Sequence, residues 1–583
     1  MDQQLEKIRH SLSHLLAMAV LEIRPQAILG IGPTIDNGFY YDFDLDQPLT
    51  DADLPHLQKS MKKMAGRGLT FARINATPEE AARRSAGQIY KLELIADLKK
   101  SKQPITYYQS GEFSDLCAGP HVSNTKEINT DAFKLTRLAG AYWRGSEKNK
   151  MLQRIYGLSF SSREELNAHL ALQELAKKND HRKLGQELDL FTFSDLVGKG
   201  LPLLTPKGTI IRHELERYTV DEEKKWGYQH VITPPLAKTE LYKISGHYPY
   251  YKDTMYPAMN VDDDELILRP MTCPHHFMLY KDKPHSYREL PLRMAEISPQ
   301  FRYEKSGELT GMMRVRLFCL ADAHIFCTPE QAEKEVSQVL KLIDKVNQTL
   351  GFKKGKDYFY RLSLGDRGNT EKYYQDAPAW EFAENLLRRV LKKAKAPNYE
   401  APGEAAFYGP KIDVQMKRLN GQEDTAFTVQ YDFIMPKRFD MKYTDNKGRE
   451  QQPVVIHRSS IGAFERTMAF LIEHYAGALP VWLSPVQVKI LTVGKAHRIY
   501  GKKLLLQLLD AGIRAELDAE NETVGFKIRQ TEKLKIPYAL VIGDKELNGR
   551  PLAVRQRGQS AIKKVAVKKF IAQVLKQIVD KKG

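Results

Sequence analysis

The chain is 583 residues long, enough for about four domains at roughly 150 residues each. With 42% hydrophobic and 28% charged residues it is too apolar for a disordered chain, and nothing in it suggests a collagen-like or mucin-like class. Lys and Arg number 89 against 72 Asp and Glu, and a net charge of +17 suits a polyanionic partner, nucleic acid before membrane.

Residues 4–23 carry Leu5, Ile8, Leu12, Leu15, Leu16, Val20 and Ile23 at amphipathic helical spacing. His10 and His14, four apart, share a face of that helix. The segment is no secretory leader, because Asp2 and Glu6 stand where a basic region belongs. Short strands follow near 30–43, at ITYYQS and at FKLTRLAGAYWRG. The stretch 162–189 reads as one charged linker helix, which gives a domain boundary after 158 and another after 189. Residues 208–226 predict a helix broken at Gly227, then β-rich YQHVIT and a Pro234-Pro235 stop. A mixed α/β region runs to about Leu483. Beyond it, strands VKILTV, IRAELD, YALVIGD and LAVRQR alternate with helices at 496–510, 524–535 and 565–580. The tail from Lys563 reads as a basic amphipathic helix. Four cysteines without a CxxC exclude a disulfide scaffold and fit a reducing compartment. No run of about 18 uncharged apolar residues marks a membrane span. A soluble, cytoplasmic protein is expected.

The chemistry-bearing motifs are individually weak. FRYE (301–304), RVRLF (314–318) and HRSSIGAFERTMAFLIEHY (457–475) are short, but with Pro234-Pro235 they stand in one order and at one set of separations. Together they resemble motifs 1, 2 and 3 of class II aminoacyl-tRNA synthetases. Adenylate formation asks a protein to position groups and neutralise phosphate charge, and guanidinium groups do so with a fixed fork. The resemblance implies Arg302 on the α-phosphate of ATP, Arg314 and Arg466 toward the γ-phosphate, Glu304 on the adenine amino group and Phe318 stacked on its ring. Mg²⁺ would bridge the phosphates.

RPMTCPHH (Cys273), ADAHIF (Asp322, His324) and VVIHRSS (His457) resemble the threonyl branch of class IIa. There, one zinc per subunit is held by the Cys and two His. Three protein ligands leave a position open for threonine's amine and hydroxyl, with Asp322 accepting the hydroxyl proton. Tyr408, Lys411 and Gln430 match further amino-acid pocket positions. Valine would be rejected for want of the hydroxyl; serine differs by one methyl, worth about 1–3 kcal/mol, so a second, hydrolytic site is required. His10, His14, Lys91, Asp115, Cys117 and His121 resemble the threonyl and alanyl editing domain. The His and Cys spacing also reads as a tetrahedral zinc site; the threonyl branch instead implies metal-free hydrolysis through His10 and Lys91, the reading preferred here.

From about 486 the chain resembles a class IIa anticodon-binding domain, with Asn521, Arg529, Glu546 and Arg555 at base-reading positions. The expected organisation is α+β and multidomain: an α+β editing domain (1–158), the linker helix (159–189), a class II antiparallel-sheet catalytic domain (190–483) and an α/β anticodon-binding domain (484–583). The expected partners are tRNA(Thr), threonine, ATP and a second copy in a homodimer, with no membrane. An alanyl-type enzyme would lack the anticodon pattern, and an inactive paralogue would have lost a phosphate arginine. Bacterial members carry a further small N-terminal domain, whereas this chain begins shortly before His10. It also departs from the family at Leu320 (commonly Gln), Ala463 (commonly Ser) and Asp424-Thr425 (commonly Trp-Gln).

Overall fold

A computed structural model describes residues 3–547 and 550–581. Met1 and Asp2, and Lys582 and Gly583 of the basic tail, lie outside the described residues. Two compact units divide at Glu174/Leu175. Among the described residues no helix is long and apolar enough to cross a membrane.

In the first unit, helix Gln3–Ile23 buries Leu12, Leu15, Leu16 and Val20 against helix Leu54–Gly66 and strand Gly38–Asp44. The main sheet pairs Ile28–Leu29, Gly38–Asp44, Met151–Ser159 and Phe133–Tyr142 in that order. A second sheet joins Ala72–Ala76, Ile105–Ser110 and Phe113–Leu116, and helix Ile89–Lys100 packs beside it.

The stretch read as one linker helix is two. Helix Arg163–Lys178 stops, and Asp180 caps a second, His181–Glu187, by accepting Arg182 N–H at 2.8 Å. Asn and Asp compete with helix continuation through such local bonds.

The second unit is built on an eight-stranded sheet. Its order is Gln229–His230, Leu292–Phe301, Leu317–Cys327, Val454–Ala463, Glu423–Asp432, Lys411–Lys417, Tyr358–Leu364, Asn398–Pro402. The six inner strands pair antiparallel and the two edge strands parallel. Strand Val454–Ala463, latest in sequence, inserts between strands laid down earlier and is buried throughout. Helices Pro206–Lys225, Pro329–Thr349 and Phe464–His474 contribute to the same core. Helix Pro206–Lys225 starts on Thr205, whose hydroxyl accepts Gly208 N–H, with Pro at its first turn.

Residues 488–565 form a five-stranded sheet, Ala515–Asp518, Val488–Thr492, Tyr538–Ile542, Leu552–Gln556, Ile562–Val565. The first three strands are parallel and the last two antiparallel. Residues Lys563–Val565, read from the sequence as the start of the tail helix, are strand; the helix is Val567–Asp580. Pairing with Leu552–Gln556 outweighs local helical preference there.

Candidate functional site

Antiparallel register sets His324 directly opposite His457. Strand period 2 puts Asp322 on the His324 face. Cys273 opens helix Cys273–Lys281, and the ligand atoms of Cys273, His324 and His457, all buried, lie within 4.8 Å of one another. His324 Nδ1 meets His276 Nδ1 at 2.8 Å, His276 Nε2 meets Glu296 at 3.2 Å, and Arg269 donates to Glu296 at 2.8 Å. His457 Nε2 meets Asp432 at 2.7 Å, leaving Nδ1. Such outer partners fix ring orientation at metal sites. His324 Nε2 is buried without a partner. Burial pushes the Cys273 thiol well up, Asp322 adding to it, and pushes the His324 imidazole well down. One sulfur and two imidazoles, with an orphaned lone pair between them, fit zinc with an open position. Sequence reading missed His276, Glu296, Asp432 and Arg269. His276 stands in RPMTCPHH and Asp432 in the QYDF that holds Gln430, but no spacing rule singles them out.

Asp322 is half-buried and accepts Gln300 Nε2 at 3.1 Å. Burial raises its pKa against the pull of His276 and His457. Tyr408 donates to Gln430, whose strand places it opposite both Lys411 and His457. Lys411 Nζ reaches Asp413 at 2.5 Å, and the same carboxylate oxygen takes Arg361 at 2.8 Å and Ser363 at 2.7 Å. Asp322 thus shares a strand with His324, Gln430 and Lys411 stand on the next two strands beyond that of His457, and Tyr408 reaches in from the turn before Lys411.

The residues expected at the nucleotide sit at or beyond the other end of the sheet's central strands. The Arg302 guanidinium lies 5.0 Å over the Phe318 ring. Arg466 donates to Met313 O at 2.9 Å and Thr425 O at 2.6 Å, and burial lowers its pKa, with Arg302 and Arg314 adding like-charge repulsion. Glu304 and Arg314 are paired with each other at 2.7 Å, and Glu308 joins at 3.3 Å. The sequence expected them to act on opposite ends of a nucleotide; here facing charges on one loop satisfy each other. Leu320 pairs with Ala463 across the ladder, and both pack with Val315 and Phe318.

In the first unit, helix spacing brings His10 and His14 to a cleft of about 360 Å³ with Lys91, Asp115 and Cys117. Cys117 Sγ lies 3.2 Å from both His10 Nε2 and His121 Nε2, and His121 Nδ1 is 3.1 Å from Ser11 Oγ. Burial pushes the Cys117 thiol up to about 12 and pushes the His10, His14 and His121 imidazoles down. Buried Lys91 pairs with Asp115 at 2.6 Å and donates to Tyr41 at 3.0 Å, while Tyr41 donates to Asp115. His14 Nε2 is 3.8 Å from Asp115, and its Nδ1 is buried without a partner. The ligand atoms of His10, His14, Cys117 and His121 lie within 4.8 Å of one another, a set that also fits a tetrahedral cation. Tyr41 is the member the sequence reading missed.

Asn521 and Arg529 are exposed, Arg529 on helix Val524–Lys533. Arg555 lies half-buried on strand Leu552–Gln556. Glu546 differs from an open surface charge: it is buried, caps Gly543 N at 3.1 Å and pairs with Lys564.

An antiparallel sheet with an arginine-rich motif 2 loop and a motif 3 helix defines a class II aminoacyl-tRNA synthetase. Residues 256–475 match the tRNA synthetase class II core domain (G, H, P, S and T). Residues 487–577 match an anticodon binding domain, and 105–156 the threonyl and alanyl tRNA synthetase second additional domain. The threonine–tRNA ligase of Anoxybacillus flavithermus is 48% identical over 581 residues, 99% of this chain and 89% of that protein. That of Geobacillus kaustophilus is 48% identical over 585 residues, 100% of this chain and 89% of that protein. A solved structure titled as the RNA binding domain of Cryptosporidium parvum threonyl-tRNA synthetase aligns with TM-score 0.65 at 34% identity, covering 68% of this chain and 98% of that one. The chain belongs to the threonyl-tRNA synthetase family.

Proposed function

We propose that the chain is a threonine–tRNA ligase that activates threonine with ATP, transfers it to tRNA(Thr) and hydrolyses Ser-tRNA(Thr). The observation that carries this reading is the meeting of buried Cys273, His324 and His457 beside half-buried Asp322. These three residues would hold zinc, which when bound supplies a Lewis-acidic site for the substrate amine and hydroxyl. Asp322 takes the hydroxyl proton, and Tyr408, Gln430 and Lys411 shape the rest of the pocket. Arg302, Arg314 and Arg466 hold the phosphates of Mg²⁺-ATP against attack by the substrate carboxylate, while Phe318 and Glu304 recognise adenine. Asn521, Arg529, Glu546 and Arg555 read the anticodon. The three domains, 1–158, 190–483 and 484–583, keep the boundaries expected from sequence with residues 159–189 linking the first two, and the enzyme works in the cytoplasm. A homodimer is supported by Ile232, 95% exposed just beyond edge strand Gln229–His230.

Editing is assigned to His10, which orients or activates water, and Lys91, which holds the ester or its oxyanion, with His14, Asp115, Cys117 and His121 lining the pocket. The orphaned Nδ1 of His14 favours a second reading, zinc on His10, His14, Cys117 and His121. Loss of Ser-tRNA hydrolysis on chelation, with the fold unchanged, would select it. The test of the main assignment is pyrophosphate exchange with each of the twenty amino acids, paired with elemental analysis. Strong exchange with threonine, weak with serine and none with valine is expected, in protein containing zinc. Another preferred amino acid, or active protein without zinc, overturns it.

A further inference from the structure

The motif 2 loop, residues 302–316, ends in a tight turn: Thr310 N donates to Arg314 O at 3.2 Å and Met313 N to Thr310 O at 2.9 Å. The tip of this turn is not free. Met312 is fully buried, and its N–H donates to His181 Nε2 at 3.1 Å. His181 is itself fully buried, on the short helix His181–Glu187 outside the catalytic sheet. Since Nε2 accepts, Nδ1 carries the proton and donates to Glu473 at 2.7 Å. Glu473 belongs to helix Phe464–His474, which also bears Arg466, and Arg418 holds it at 3.0 Å. Both ring nitrogens are thus committed, so His181 has no lone pair for a cation although Asp180 and Glu473 lie close by.

From the other side, Arg466 Nε grips the carbonyl of Met313 at 2.9 Å. Gly311 completes the fit: its φ is +50°, and a Cβ there would come within 2.3 Å of His181 Nε2. The turn that carries Arg314 is therefore held at consecutive residues, Met312 by its N–H and Met313 by its C=O.

We propose that His181 is a positioning residue for ATP, fixing the Gly311–Met313 turn so that Arg314 is presented to the phosphates. Its ring relays the placement of the motif 3 helix, through Glu473, to the motif 2 loop. This rests on the reading of Arg314 as phosphate-facing. A hydrogen bond to a buried backbone donor has a measurable cost when its acceptor is removed. That cost falls on the substrate that needs the loop, ATP, and leaves the threonine pocket on the far part of the strands intact.

Pyrophosphate exchange on the full chain tests this, with KM measured separately for ATP and threonine. His181→Asn keeps an N–H for Glu473 but removes the acceptor at the Nε2 position, whereas His181→Gln offers an acceptor there. His181→Asn is expected to raise KM for ATP about tenfold while KM for threonine stays within about twofold and His181→Gln within about threefold of the parent. Gly311→Ala, which pushes the turn off the ring, should give the same ATP-selective rise. Arg314→Ala is the control. If it leaves KM for ATP unchanged, the phosphate reading fails. If it raises that KM but His181→Asn and Gly311→Ala do not, or raise both KM values equally, the positioning role is overturned. Should His181→Asn fail to fold by circular dichroism, His181→Gln and Gly311→Ala decide between the same outcomes.

Discussion

At the scale of single residues, function here lies in buried polar groups that hold one another. Glu296 is an example. Burial pushes its carboxyl up, but bonds from His276, Thr233 and Arg269 prevail and hold it down at about 2. A depressed folded value means the carboxylate stabilises the fold fully above its ordinary value of about 4.5, and the contribution drains away as pH falls toward 2. About 3 kcal/mol is at stake. Glu296→Gln should therefore flatten the acid limb of the stability profile between those limits and lower stability at neutral pH; urea unfolding at stepped pH measures it. In the first unit, neutral His10 beside Cys117 is the group suited to handling water near pH 7. His10→Ala should leave threonine charging nearly unchanged and let Ser-tRNA accumulate in a deacylation assay on preformed Ser-tRNA. Unimpaired hydrolysis by this variant would remove His10 from the mechanism.

At the scale of elements, legibility followed the range of the interaction. His10 and His14 were readable because helix spacing alone puts them on one face. The alternating strands and helices after residue 486 were readable because each carries its own periodicity. The tail strand Ile562–Val565 was not, since it is strand only by pairing with Leu552–Gln556. Asn179-Asp180 breaks a charged run that looks continuous until Asp180 is seen capping the next helix. Cys273, His324 and His457 could be picked out by family resemblance but not by spacing, because ladder register brings them together. Their outer partners, His276 and Asp432, stand inside quoted motifs, but no spacing rule marks them as supports. Register depends on a few backbone positions, and Gly462 is one. Its φ is +77°, and a Cβ would lie 2.5 Å from Ala426 O. Gly462→Ala should cost about 1–3 kcal/mol and reduce adenylate formation at least tenfold, because Arg466 follows four residues later. A thermal melt with pyrophosphate exchange checks both; unchanged exchange would show that the turn tolerates displacement.

At the scale of the molecule, separate cores divide the labour. The 488–565 sheet has its own apolar centre, with Ile490, Leu504, Leu540 and Phe570 among its buried members. Arg514 fastens it to the catalytic region, donating to Glu214 at 3.0 Å, Ser484 O at 3.0 Å and Trp482 O at 2.7 Å. Exposed Arg529 lies in this smaller domain, away from the adenylate chemistry. Arg529→Ala should weaken tRNA charging about tenfold yet spare amino-acid activation. Parallel aminoacylation and exchange assays measure the split, and equal loss of both counts against the division.

The insertion of Val454–Ala463 into the middle of the large sheet has a consequence for vectorial synthesis. Until the ribosome has delivered His457 and Ala463, the strands on either side, Leu317–Cys327 and Glu423–Asp432, face a gap. A nascent chain of that length carries two unsatisfied sheet edges, the kind of surface that recruits stray strands. It also lacks His457 and Arg466, the residues proposed above to serve zinc and ATP, so on that reading a prematurely terminated product cannot form the adenylate. The polypeptide thus acquires its adenylate-forming chemistry late and in one step, when a single strand closes the sheet.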